Sequence, residues 1–239
     1  MNTRSKHSIP LRLPARYLYT IASVVLMLIV LVGFSQTYFL RGVFNSTKEM
    51  SVLLHVHGVI MTTWFVLLIV QSTLIAKRQI AVHRRLGIFG ALLAVAILLV
   101  GTASAITAAE RAGATTGAMR FLAIPLGDMV VFGTLAGLGI YWRKRGDIHK
   151  RLLLLASAAM LPAAVARVPL HFIESGGPPA FFGMVDTLIV GFAAYDTWMT
   201  RRLHPAFLWG TLFVIVSQPL RLLISTTAIW EQLASWLVR

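Results

Sequence analysis

The sequence predicts an all-α integral membrane protein with seven transmembrane helices. Of its 239 residues, 57% are hydrophobic and only 13% are charged, whereas soluble chains carry about 25% charged residues. Seven apolar stretches approach or exceed the roughly 20 helical residues that cross a bilayer. None of them alternates in the way that the strands of a membrane barrel do. The composition therefore excludes a water-soluble enzyme and a disordered chain.

The first three predicted spans cover residues 17–40, 51–76 and 86–109. The first follows a basic leader, and its apolar core of about 24 residues is longer than the 7–15 residues typical of a signal peptide. We therefore expect it to stay in the membrane as an anchor. The second ends before Lys77 and Arg78, and the third begins after Arg84 and Arg85.

The remaining four predicted spans cover residues 120–142, 150–172, 180–200 and 206–230. Short basic connectors that start at Arg143 and Arg201 precede the second and the fourth members of this set, and Pro205 precedes the last span. We predict two parts in the chain: a basic cytoplasmic N-terminal segment at 1–16 and a single seven-helix transmembrane domain at 17–239.

The distribution of cations predicts the orientation. Fifteen of the 22 Lys and Arg residues lie on one side, in the N-terminal segment and in the second, fourth and sixth connectors. This bias predicts a cytoplasmic N-terminus and a periplasmic C-terminus in the bacterial inner (plasma) membrane, with multiple passes. It also accounts for the net charge of +14, because these cations face anionic lipid. No basic recognition helix accompanies them, so we predict no nucleic-acid partner.

Several classes of chemistry are absent. The chain has no cysteine, which excludes disulfide scaffolds, thiolate zinc sites and iron–sulfur clusters. It also lacks the phosphate-binding, dinucleotide-binding, zinc-protease and serine-hydrolase motifs. The residues alone decide neither for nor against an enzyme.

Polar residues within spans are costly and are functional candidates by default. An outer layer contains His55, His57, Asp128, Arg167, His171, Asp186, Gln218 and Arg221. On the predicted fifth helix, Arg167 and His171 are four residues apart and would share a face. Two aspartates and two arginines at one depth predict ion pairing. On the second helix, His57 forms a stripe with Trp64 and Gln71, so we favour it over His55 as the inward-facing histidine.

An inner layer contains three histidines beside basic residues. His83, His149 and His204 each begin a predicted helix at the cytoplasmic side. Three interpretations remain open: anchoring of the helix ends, contact with an anion or lipid phosphate, and a three-histidine metal site.

The outer layer also leaves its chemistry open. His57 and His171 could hold a b-type haem between two helices, with Arg167 and Arg221 near its propionates. The same histidines with Asp128 or Asp186 match the ligands of a divalent metal. The layer could instead form a polar pocket, or ion pairs that only specify helix packing.

The chain resembles a family of uncharacterised bacterial polytopic membrane proteins in the motif His55-x-His57-Gly58, then Gln71, then His83-Arg84-Arg85-Leu86-Gly87, then His149-Lys150-Arg151-Leu152, ending in Ala166-Arg167. More loosely, the histidines are similar to those of the b-type cytochrome and ferric-reductase-like membrane superfamily. That resemblance implies haem between neighbouring helices, with His57 and His171 as outer ligands and His83 and His149 as inner ligands.

The sequence thus predicts a membrane-embedded haem- or metal-binding redox protein with a His/Asp/Arg site in the outer half of the bundle. The candidate cofactors are haem b and a divalent metal, and the candidate partners are respiratory-chain components and a quinone. Two alternatives stay open: a binding or transport protein for a small anion or proton-coupled solute, and an assembly factor for a respiratory complex.

Overall fold

The computed structural model describes residues 17–44 and 49–238, and within them it contains helices and no strand. The predicted basic segment at 1–16 lies outside these residues. The helices are α1 (Leu18–Gly33), a π-helical turn (Ser35–Phe39), α2 (Val52–Ala76), α3 (Ile80–Arg111), α4 (Thr116–Tyr141), α5 (Gly146–Ala158), α6 (Pro162–Val165), α7 (His171–Thr200), α8 (Pro205–Ile224) and α9 (Ala228–Leu237). The all-α prediction is confirmed.

Six segments in the described part of the chain are long and apolar enough to cross a membrane: α2, α3, α4, α5 together with α6, α7 and α8. This pattern is that of a multi-pass membrane protein in contact with lipid. The expected first span is shorter, because α1 has 16 residues and gives way to the π-helical turn after Gly33.

The α5–α6 segment forms the centre of the bundle. In its most apolar window 72% of residues are buried, against 22% in α2 and α7. Helices α1, α4, α7 and α8 pack against α5. One contact is very close: a Cβ on Gly33 of α1 would lie 2.2 Å from the carbonyl oxygen of Ala164 in α6. Only glycine therefore fits at this crossing of α1 and α6.

The predicted fifth helix, residues 150–172, is wrong at its C-terminal end. Pro162 has no N–H to continue the hydrogen bonding of α5, and it starts the short helix α6 instead. Pro169 then disfavours helical geometry in the preceding residue, and a non-helical turn leads to α7. Arg167 lies in that turn whereas His171 is the first residue of α7. The two residues therefore do not share a helical face.

The last two predicted spans also differ in their bounds. Helix α7 begins nine residues before the predicted residue 180, with a kink at Gly177 (φ 56°). The predicted span at 206–230 is two helices, since α8 ends at Ile224 and the Thr227 side chain caps α9 by accepting from Trp230 N–H. Both differences arise at residues that favour a break: a glycine before two prolines, and a threonine at a helix N-cap.

We call the end of the bundle at which α3, α5 and α8 begin the basic end. Its exposed cations include Arg84, Arg85, Arg143, Lys144, Arg145, Lys150, Arg201 and Arg202. The other end, where α4 and α7 begin, is called the opposite end.

Candidate functional site

Two of the three inner-layer histidines come together at the basic end. The rings of His83, in the first turn of α3, and His149, in the first turn of α5, have centroids 6.2 Å apart and are nearly perpendicular, at 85°. Nδ1 of His149 lies 2.8 Å from the carbonyl oxygen of Gly139 in α4. Because a carbonyl only accepts, Nδ1 carries a proton, and in the neutral imidazole Nε2 has the free lone pair.

Gln71 of α2 is hydrogen-bonded to the imidazole ring of His83. In the amide orientation that satisfies its hydrogen bonds, its nitrogen lies 2.7 Å from Nδ1 of His83 and its oxygen accepts from the N–H of Gly87 at 3.0 Å. Nδ1 of His83 thus accepts a hydrogen bond from the Gln71 amide, whereas Nδ1 of His149 donates one to Gly139. Four helices, α2 to α5, position this pair.

His204, the third inner-layer histidine, has a different role. It is the N-cap of α8: its Nδ1 accepts from the N–H of Ala206 at 3.1 Å, and its Nε2 donates to the exposed carboxylate of Asp147 at 3.1 Å. Both of its nitrogens are therefore used in fixing the start of α8 beside α5. The expected three-histidine set is reduced to a pair.

The expected outer histidines lie on the margin of the bundle. His171 is exposed at the start of α7, and His55 is exposed with its ring 6.1 Å from that of Tyr38. His57 is partly buried and lies close enough to Arg167 for the two side chains to interact electrostatically. Nowhere in the described residues do three or more His, Asp or Glu side chains form a group that could hold a metal ion. The expected set of His57 and His171 with an aspartate is not such a group.

The outer aspartates belong to a hydrogen-bonded network between α4, α7 and α8, which we call the outer network. Arg221 donates to Asp128 at 2.5 Å and to the hydroxyl of Ser217 at 2.9 Å. Gln218 donates to Asp186 at 2.7 Å. Arg221 and Asp128 are both buried, and the Nε of Arg221 has no hydrogen-bond partner within the described chain.

Only part of the expected ion pairing is present. The Arg221–Asp128 pair forms, but Asp186 accepts from a neutral amide rather than from Arg167. Arg167 instead donates to the carbonyl oxygen of Ala163 and lies over the ring of Phe34, 4.8 Å from its centroid. The early end of α6 explains this, because it places Arg167 in a turn beside α1.

A second buried ion pair was not anticipated from the sequence. Arg151 of α5 donates twice to Asp196 of α7, at 2.6 Å and 3.0 Å, and the hydroxyl of Tyr19 in α1 donates to the same carboxylate at 3.0 Å. Arg151 follows a run of connector cations in the sequence, so the charge pattern did not identify it as a buried residue. The position of Asp196 within the predicted span 180–200 was the signal that could have identified it.

Comparison of this chain with protein-family models, with curated proteins and with solved structures finds no match.

Proposed function

We propose that this chain is a membrane-embedded haem-binding redox protein whose iron ligands are His83 and His149. The observation that supports the proposal is the pair of imidazoles 6.2 Å apart on two different helices, both engaged at Nδ1. The proposed site lies at the basic end, whereas the sequence favoured the outer layer. It keeps the two residues that the loose resemblance to b-type cytochromes implies as inner ligands.

The spacing favours ligands on opposite sides of one metal ion. An ion about 2 Å from each Nε2 separates two ring centroids by about 6 Å when the bonds are collinear, and by about 5 Å at a tetrahedral angle. The distance of 6.2 Å fits the collinear case. If a haem were bound here, His83 and His149 would be its two protein ligands.

The number of ligands favours haem over a bare metal ion. Zinc sites in proteins use three or four protein ligands, whereas the group formed by His83 and His149 has no third His, Asp or Glu beside it in the described chain. A porphyrin brings four nitrogen ligands of its own, so two histidines complete its iron. Gly87 adds space one turn after His83, since a Cβ there would have the Gln71 amide as its nearest neighbour, at 3.7 Å.

The surroundings of His149 fit a ligand of this kind, and those of His83 fit once its glutamine partner turns. A histidine that binds a metal through Nε2 carries its proton on Nδ1 and donates it to a carbonyl or carboxylate, as His149 does to Gly139. For His83, the same state requires the Gln71 amide to turn so that its oxygen accepts from Nδ1. Arg84 and Lys150, exposed and adjacent in sequence to the two histidines, supply cations for the propionates.

The proposed orientation in the membrane follows from the spans and the cations. We infer that α1 and the π-helical turn cross the membrane as a seventh span, and that the basic end faces the cytoplasm of a bacterium, following the bias of the cations. Haem bound there supplies one-electron chemistry at the cytoplasmic face. The residues of the chain hold the iron, orient both imidazoles and present a cationic surface to a donor or acceptor such as a quinone.

The test is to purify the full chain in detergent from haem-replete cells and record a reduced-minus-oxidised spectrum together with the iron content. We expect b-type bands and about one iron per chain. The variants H83A and H149A should lose them, whereas H171A, a histidine at the opposite end, should keep them. Protein without iron and without these bands, or bands that persist in H83A and H149A, would refute the proposal.

A further inference from the structure

The outer network contains a carboxylate without a matching cation. Three aspartates of the membrane-spanning helices are buried or partly buried: Asp128, Asp186 and Asp196. Asp128 is paired with Arg221 and Asp196 with Arg151. Asp186 has one side-chain hydrogen bond in the described residues, from the neutral amide of Gln218. Asp186 therefore differs from the other two in its charge balance.

The charged groups around Asp186 do not supply the missing cation. From α8, Arg221 is bound to Asp128 and Ser217. From α5, Arg151 is bound to Asp196 at the basic end. Helix α6 has no charged residue, and Arg167, which follows it, donates to Ala163. Counted together, the outer network has two carboxylates and one guanidinium.

An uncompensated charge in a membrane-spanning helix is unfavourable even on the scales that give the smallest penalties. Three arrangements would remove it: the carboxylate turns into water, binds a metal cation, or binds a proton. The first conflicts with the 2.7 Å bond that holds Asp186 against the buried Gln218. The second requires several oxygen ligands, and this carboxylate belongs to no group of three or more acidic or histidine side chains in the described part of the protein.

We propose that Asp186 is a proton-binding site, held as a neutral carboxylic acid at neutral pH. One carboxyl oxygen accepts from Gln218, and the other forms the O–H bond with a proton taken from water. No electron is transferred and no other reactant is needed. Because Asp186 is only partly buried, the proton can exchange with the surroundings without disruption of the Asp128–Arg221 pair beside it.

This inference is independent of the proposed haem site, since it rests on a different set of residues on α7 and α8. It assigns the outer network a capacity to bind and release a proton in a bundle that otherwise pairs its buried carboxylates with guanidinium groups.

Dicyclohexylcarbodiimide tests the proposal, because it modifies carboxyl groups that are protonated in apolar surroundings. The full chain in detergent is treated at neutral pH and the modified peptides are identified by mass spectrometry. We expect Asp186 to be labelled at least about tenfold more than Asp128 or Asp196, because those two are paired with guanidinium groups. Labelling should decline as the pH is raised.

Three results would overturn the proposal: no label on Asp186, equal label on all three aspartates, or label that sodium ions suppress at constant pH, which would indicate a cation site. The D186N variant should lose this label alone. If that variant does not fold, the peptide map of the unmodified sequence still decides, because labelling is read at each aspartate in the same sample. The iron content of the sample is irrelevant to the result, so failure here leaves the haem proposal standing.

Discussion

Arg151 of α5 and Asp196 of α7 form a buried ion pair in which both side chains are 3% exposed. The guanidinium also donates to the carbonyl oxygen of Asp147, and the hydroxyl of Tyr19 donates a further hydrogen bond to the Asp196 carboxylate. Helices α1, α5 and α7 thus meet at one charged cluster close to the basic end. The cluster fixes α5, and α5 carries His149, so the fold and the candidate site depend on the same contacts.

Removal of one partner of this pair should strongly destabilise the protein. We expect R151L or D196L to lower the free energy of unfolding by about 3–5 kcal/mol, because each leaves an uncompensated buried charge. Unfolding in detergent micelles, followed by circular dichroism, measures this loss. The double variant R151L/D196L should recover much of the stability, since neither charge remains. A double variant that loses as much stability as the two single variants combined would show that the two charges do not stabilise each other.

The crossing of α1 and α6 gives a prediction about glycine. G33A should destabilise the protein by about 1–3 kcal/mol, because its Cβ would lie 2.2 Å from a backbone oxygen that cannot move alone. G183A in α7 is the matched control, since a Cβ there would meet nothing within 4 Å. The same unfolding assay compares the two. A G33A variant as stable as G183A would contradict the close approach of the two helices.

Most of the fold, but not the break after α5, could be predicted from the sequence. Length and hydropathy were sufficient for the all-α class and for most span positions, because a helix in lipid must satisfy every backbone group internally. They were insufficient after Ala158, where Pro162 and Pro169 end the helix rather than only bending it. Hydropathy averages over such breaks, so the position of Arg167 in a turn depended on local backbone chemistry.

The site was predictable in part for a related reason. Periodicity placed Gln71 on a stripe with His57 and Trp64, and the structure has Gln71 beside His83 and Trp64 bonded to Ser157 of α5. Depth counted along each helix brought Asp128 and Arg221 together. Which histidines meet depends on how helices pack around one another, and no pattern within a single helix contains that information. The sequence therefore favoured His57 with His171, and packing brings His83 to His149.

Gln71 should act as a positioning residue for the proposed haem. We expect Q71L to weaken haem binding by about 10-fold to 100-fold, because the leucine cannot accept from Nδ1 of His83. The apoprotein titrated with haem and followed by absorbance measures the affinity. Q232L, at an exposed position in α9, should bind as the unmodified chain does. An unchanged affinity in Q71L would remove the assigned role from this glutamine.

Electron paramagnetic resonance of the oxidised protein tests the central claim most directly, because it reports the axial ligands of ferric haem. We predict a low-spin, six-coordinate iron with two imidazoles in the unmodified chain, the absence of that signal in H83A and in H149A because both variants should lose the haem, and no change in H55A. An unmodified chain that binds no haem, or a bis-imidazole signal that survives in both variants, would contradict the assignment of His83 and His149 as the ligands.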